Sequence, residues 1–305
     1  MKVHRIRRIV EVLVVGSAVL LTSPAAAEPA DPSRFAERPA EVTRGFVTVA
    51  GRQLHYRRAG AQSEHPPLVL FHQSPASSHV YVEFMAEMGA DRAVYAPDTP
   101  GFGESDMPES PPEIEDYARA FAGFLDAMNL GRVDLVGYHT GAASAIELAR
   151  RHPHRVRRLI LVGIPAFTPE EAAAFEAEPW PQPFDEDGEA VAASWRSTRD
   201  WWSRKGGSEA MIRRSFDQKI ANGPNAWWGA RAALRYRTID ALREVKSPIL
   251  FIRPQDDLWE SSLRVLPAIP DAERLDLPQH GFGMWERAPE EMAGHIRAFL
   301  NDPAR

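Results

Sequence analysis

The chain has no cysteine among its 305 residues, which excludes a disulfide, a thiolate nucleophile and a thiolate metal site. Phosphate cradles are missing as well. Neither a P-loop nor a dinucleotide-binding G-x-G-x-x-G is present, so no organic cofactor is implied. Basic charge is in deficit, with 36 Lys and Arg against 42 Asp and Glu and a formal charge of -6. An acidic chain of this kind is a poor partner for nucleic acid. No segment repeats at solenoid-like periods. The apolar run from Ile9 to Leu21 contains Glu11 and Gly16 and falls short of the ~20 residues that a membrane span needs.

That run reads instead as part of a secretory signal over residues 1–27. Lys2, Arg5, Arg7 and Arg8 form a basic start, and Ala25-Ala26-Ala27 offers an A-x-A cleavage site. Arg7-Arg8 also permits a twin-arginine export route, although the flanking residues fit that pattern poorly. The expectation is a periplasmic or secreted protein with no stable membrane association after cleavage. Removing four basic side chains and one acidic one takes the formal charge from -6 to -9. Residues 28–44 hold Pro29, Pro32 and Pro39 among charged and small residues, and read as a flexible lead-in.

A hydrophobic content of 44% over this length suits one large α/β domain. Phe46-Val47-Thr48-Val49 and Gln53-Leu54-His55-Tyr56 alternate around Ala50-Gly51-Arg52, a hairpin pattern. Short continuous apolar runs follow at 68–71, 93–96, 133–136 and 159–162, separated by segments of helical period. Such runs are what strands buried on both faces look like. Ile114, Tyr117, Phe121, Phe124, Leu125 and Met128 share one helical stripe behind Pro111-Pro112. The alternation predicts an α/β fold with a doubly wound, mostly parallel sheet and ligands near the carboxyl ends of its strands. It pauses after Phe167 and resumes at 248–252 and 274–277 before a closing helix. Residues 168–243, with no clear strand, read as a helical cap inserted between core segments 45–167 and 244–301. Six of the eight tryptophans lie in that cap, at 180, 195, 201, 202, 227 and 228, while Trp259 and Trp285 lie beyond it. Part of this aromatic content is expected to line an apolar pocket under the cap.

The chemistry concentrates at Gly137-Tyr138-His139-Thr140-Gly141. A strand ends just before it and a helical run, 142–151, follows, which is the context a G-x-S-x-G nucleophile elbow requires. The two glycines permit the sharp turn and leave the residue at the apex presented to the cleft. Here that residue is His139. Three further segments follow the same plan in order: His72-Gln73-Ser74-Pro75, Asp98 to Asp106, and the pair Gln255-Asp256-Asp257 and Gln279-His280-Gly281 near the end.

In this arrangement the chain resembles the α/β-hydrolase superfamily, in the branch that includes epoxide hydrolases, haloalkane dehalogenases, carboxylesterases and carbon–carbon hydrolases. The resemblance covers residues 45–301. It implies His139 as the elbow residue, Asp257 as the acid with Asp256 as the alternative, and His280 as the base. It also implies Ser74 and Thr140 as backbone oxyanion donors. Gln73 replaces a glycine and joins Trp259 and Trp285 as a pocket candidate.

A serine elbow works because its oxygen attacks a carbonyl after a histidine takes the proton. With histidine in that place, four readings stand. His139 is a nucleophile, or orients water for His280, in hydrolysis of a small hydrophobic ester, lactone or related carbonyl compound. Alternatively, two histidines move protons in a cofactor-free lyase; the protein binds a ligand without turnover; or His139, His280 and Asp257 hold a metal. The family geometry places the acid behind its histidine, which argues against metal ligation, and no metal is expected. A small molecule is the expected partner.

Overall fold

The computed structural model describes residues 39–180 and 182–303; the segment 1–27 read as a signal and most of the expected lead-in lie outside the described residues. Strand β1 (Thr43–Val49) and strand β2 (Arg52–Ala59) form the antiparallel hairpin. Ala50 and Gly51 at its tip both have positive φ, 48° and 80°, the turn geometry that matches strand twist. Six more strands complete one sheet: β3 (Leu68–Phe71), β4 (Val94–Pro97), β5 (Val133–Tyr138), β6 (Val156–Val162), β7 (Ile249–Pro254) and β8 (Glu273–Leu277). The spatial order is β1-β2-β4-β3-β5-β6-β7-β8, and every pair from β4 onward is parallel.

Side-chain alternation divides the strand residues between two cores. Val69, Phe71, Leu135, Leu159, Leu161 and Phe251 pack to one side with the stripe of helix α2 (Ile114–Ala127) and with helix α3 (Thr140–Arg151). Leu68, Leu70, Val136, Ile160, Val162 and Ile252 pack to the other. There they meet α1 (Val82–Met88), α9 (Met284–Arg287) and α10 (Pro289–Leu300). Trp285 belongs to this second core, 1% exposed and edge-on to Tyr81, Phe84 and Tyr138. It packs the core, where a pocket candidate was expected. Among the described residues, no helix is long and apolar enough to cross a membrane.

Between β6 and β7 the chain forms helices α4 (Pro169–Ala177), α5 (Glu189–Arg204), α6 (Glu209–Ala221), α7 (Trp228–Arg235) and α8 (Thr238–Leu242). Thr168 caps α4 by accepting from Glu171 N–H, and Glu171 returns the bond to Thr168 N–H. Chain order reverses around β3: the chain passes from β3 to β4 on one side, then to β5 on the other. A crevice at the carboxyl ends of β3 and β5 follows from that reversal. His72–Ser74 leave one of those ends and His139 the other.

Candidate active site

His139 joins β5 to α3 with φ 52° and ψ -116°, a backbone region that L side chains rarely adopt. The strain is imposed by close packing on both sides of it. A Cβ on Gly141 would lie 2.0 Å from the Phe71 carbonyl oxygen, and one on Gly137 2.6 Å from Ala142 Cα. Strand and helix therefore approach more closely than any residue other than glycine allows, and the apex residue bears the turn.

The imidazole of His139 reaches sideways to the loop after β7. Its Nε2 lies 2.8 Å from Asp256 Oδ2, and the Asp256 side chain is fully buried. The other carboxylate oxygen of Asp256 accepts the Leu258 N–H at 2.9 Å. Tyr138 and Phe282 hold the ring edge-to-face, with centroids at 4.4 and 5.3 Å. Gly163, at φ 55° just past β6, makes room for it, since a Cβ there would sit 2.6 Å from the ring. With Nε2–H donated to the carboxylate, Nδ1 carries the lone pair. Nδ1 has no hydrogen-bond partner among the described residues, and the His139 side chain is 15% exposed.

The carboxylate that meets His139 is thus Asp256, the alternative acid, and not Asp257. Asp257 points outward, 57% exposed, and meets Lys205 Nζ at 3.1 Å. Asp256 folds back on its own loop, its N–H bonded to the Pro254 carbonyl, and so its side chain turns inward while the next one turns out. The expected base is placed differently as well. His280 lies on the neighbouring loop, where its carbonyl accepts the Gln255 N–H at 2.6 Å. Its Nε2, however, is 2.8 Å from Glu291 Oε2 on α10. A serine at the elbow would leave space for a loop histidine against the acid; the larger His139 ring fills that space itself. The three groups of the metal alternative thus pair with three different partners. Among the described residues, no group of three His, Cys, Asp or Glu side chains is arranged to hold one.

The expected oxyanion donors are only half available. Ser74 N–H is already bonded to Thr140 Oγ1 at 2.7 Å, and Thr140 donates to Ser74 Oγ at 3.2 Å. The Thr140 N–H, at the first turn of α3, has no hydrogen-bond partner among the described residues, and the helix end favours negative charge there. Gln73 stays beside the crevice with its Oε1 buried and unpaired. Trp259 does not reach it: its ring stacks on the Arg253 guanidinium at 3.5 Å.

The inserted helices roof this crevice. At the end of α5, Trp201 meets Phe282 at 4.6 Å, and Lys205 lies over both rings at 4.8 and 5.1 Å. Arg214 of α6 pairs with Glu286. Gln218 donates to Ser77 Oγ at 2.6 Å. Gly229 of α7 abuts Ser74, because a Cβ there would fall 2.0 Å from the serine hydroxyl. Gly163, Phe282, Lys205 and Glu291 escaped sequence reasoning as site residues. Only Gly163 carried a local signal, a glycine directly after a buried strand, which marks close approach.

A strained strand-to-helix elbow over a parallel sheet, faced by a buried acid from the loop two strands away, defines the architecture of an α/β hydrolase. A family model described as alpha/beta hydrolase fold matches residues 66–239, and the chain belongs to that family. It is 30% identical to the 2-hydroxy-6-oxo-2,4-heptadienoate hydrolase of Pseudomonas putida, across 86% of this chain and 96% of that one. It is 39% identical to a 2-hydroxymuconate semialdehyde hydrolase of a Pseudomonas species, over 38% of this chain and 42% of the other. Among solved structures, the enol-lactonase of Burkholderia xenovorans superposes with a TM-score of 0.69 at 20% identity, over 85% of this chain and all of that one; at that identity the likeness is one of fold. Family membership, with hydrolase relatives along most of the chain, makes this an enzyme of the hydrolase class.

Proposed function

We propose that the protein hydrolyses a small hydrophobic ester, lactone or related carbonyl compound, with His139 as general base and Asp256 as the residue that orients it. The observation that carries this reading is the His139–Asp256 bond. It fixes one tautomer and leaves Nδ1 as a lone pair at the elbow apex, where a reacting group is presented. A water hydrogen-bonded to Nδ1 gives up its proton as its oxygen attacks the substrate carbonyl, and the imidazolium so formed is stabilised by the buried carboxylate. The Thr140 N–H at the start of α3 faces developing negative charge. The imidazolium then returns its proton to the leaving oxygen. Attack by water on a carbonyl carbon fits the names of the two relatives, a dienoate hydrolase and a semialdehyde hydrolase. Water is favoured over imidazole as nucleophile because an acyl-imidazole would itself be labile. Export through residues 1–27 belongs to the same proposal and rests on their sequence pattern.

The test is turnover of a panel of small esters and lactones by the full chain and by His139→Gln. We expect hydrolysis by the former, with the variant reduced at least ~10²-fold, the lower bound of a general base's contribution. Equal rates for the two proteins across the panel would overturn the assignment.

A further inference from the structure

The inserted helices enclose a cavity of their own. It has a volume of about 260 Å³ and lies between α5, α6 and the turn that precedes α7. Ala190, Ala193, Ala226 and Trp227 supply apolar wall. Two polar groups face it under unusual conditions. Lys219 of α6 is partly buried, and desolvation lowers the pKa of its ammonium below the ordinary lysine value. No carboxylate pairs with it among the described residues, and the contact found is with the Trp227 ring at 5.6 Å. Other cations of the same helix are paired, Arg213 with Glu209 and Arg214 with Glu286. Ser194 of α5 is 9% exposed, and its hydroxyl oxygen is buried without a hydrogen-bond partner.

Burying a hydroxyl without a partner is costly, and an ammonium that has lost part of its hydration without gaining a carboxylate is left under-paired. A carboxylate answers both needs, with oxygens for the ammonium and for the hydroxyl proton. We propose that this cavity is a binding site for a small monocarboxylic acid, its carboxylate against Lys219 and Ser194 and its apolar body against the alanines and Trp227. The volume lies just below the ~300 Å³ at which ordinary ligand pockets begin, so the body is a single ring or a short chain. A phosphate would bring a second negative charge to a single cation and set polar oxygens against apolar walls. Neither His139 nor Asp256 lines the cavity, and the inference does not depend on the proposed hydrolysis.

The experiment is calorimetric titration of the full chain with benzoate, and with benzamide as its neutral counterpart. Tryptophan fluorescence gives a second readout, because Trp227 lines the cavity. Saturable benzoate binding is expected, with benzamide at least about tenfold weaker, the scale of one charge-assisted hydrogen bond. Lys219→Met, which keeps an unbranched side chain in an apolar setting, should weaken benzoate by a similar factor. Ser194→Ala should weaken it severalfold, and His139→Gln should bind as the parent does. Should Lys219→Met fail to fold, Ser194→Ala and the benzamide comparison decide. Equal affinity for benzoate and benzamide, equal affinity for inorganic phosphate, no saturable binding, or loss of binding in His139→Gln would each overturn the proposal.

Discussion

Replacing Asp256 by Asn changes one atom of a buried side chain and, on this account, reverses the logic of the elbow. Asp256 accepts two hydrogen bonds, from Leu258 N–H at 2.9 Å and from His139 Nε2 at 2.8 Å. The amide oxygen of an asparagine keeps the first. Its NH2 group then faces Nε2–H, donor against donor, and the ring is driven to the tautomer with the proton on Nδ1. That nitrogen can no longer take a proton from water, so the whole contribution of the base is lost. The expected fall in kcat is ~10²–10⁴-fold, equivalent to about 3–5 kcal/mol of barrier. Loss of one charge-assisted hydrogen bond should also cost about 1.5–3 kcal/mol of stability. Steady-state turnover on the best ester of the panel, with chemical denaturation alongside, separates the two effects. Asp257→Asn is the control: its carboxylate is 57% exposed and its bond to Lys205 is worth at most ~1 kcal/mol, so turnover should stay near the parent value. An active Asp256→Asn beside an inactive Asp257→Asn would refute the reasoning.

Acid should expose a second buried carboxylate. Burial alone would raise the pKa of Asp98, but hydrogen bonds from His55 at 2.7 Å, Ser78 N–H at 2.7 Å and Glu104 N–H at 3.0 Å outweigh it and hold the group at about 2. A folded value depressed from the ordinary 3.8 stabilises the fold above about pH 4, by roughly 2 kcal/mol. That contribution is lost as pH falls from about 4 to about 2. Denaturation curves across this range should flatten in Asp98→Asn, and superimposable slopes would count against the assignment. Export is checked by N-terminal sequencing: protein from periplasm or medium should begin near Glu28, and an intact Met1 on cytoplasmic protein would contradict it.

Much of the fold was legible because buried parallel strands leave a plain mark. The runs at 68–71, 133–136 and 159–162 lie within β3, β5 and β6, and the stripe from Ile114 to Leu125 is buried along α2. The elbow was legible for a similar reason, since its two glycines answer to backbone contacts that hold whatever the apex residue is. Side-chain pairing was not. Choosing between Asp256 and Asp257 needs the direction in which the loop folds, which depends on the Asp256 N–H and Leu258 N–H bonds. Assigning His280 to the acid assumed an elbow residue the size of serine. Once an imidazole fills that space, His280 is left to Glu291, a partner eleven residues further on that no local pattern announces. The Thr140 hydroxyl on Ser74 N–H was equally hidden, because it joins segments 66 residues apart.

In the proposed reaction the elbow histidine, and not the loop histidine, is the base. This is tested most directly by measuring kcat for His139→Ala and His280→Ala on one substrate under one set of conditions. In His139→Ala, kcat should fall at least ~10²-fold. Turnover should stay within a few-fold of the parent in His280→Ala, whose Nε2 pairs with Glu291 while the Asp256 carboxylate pairs with His139. Full activity in His139→Ala, or collapse in His280→Ala with the fold intact, would contradict that assignment.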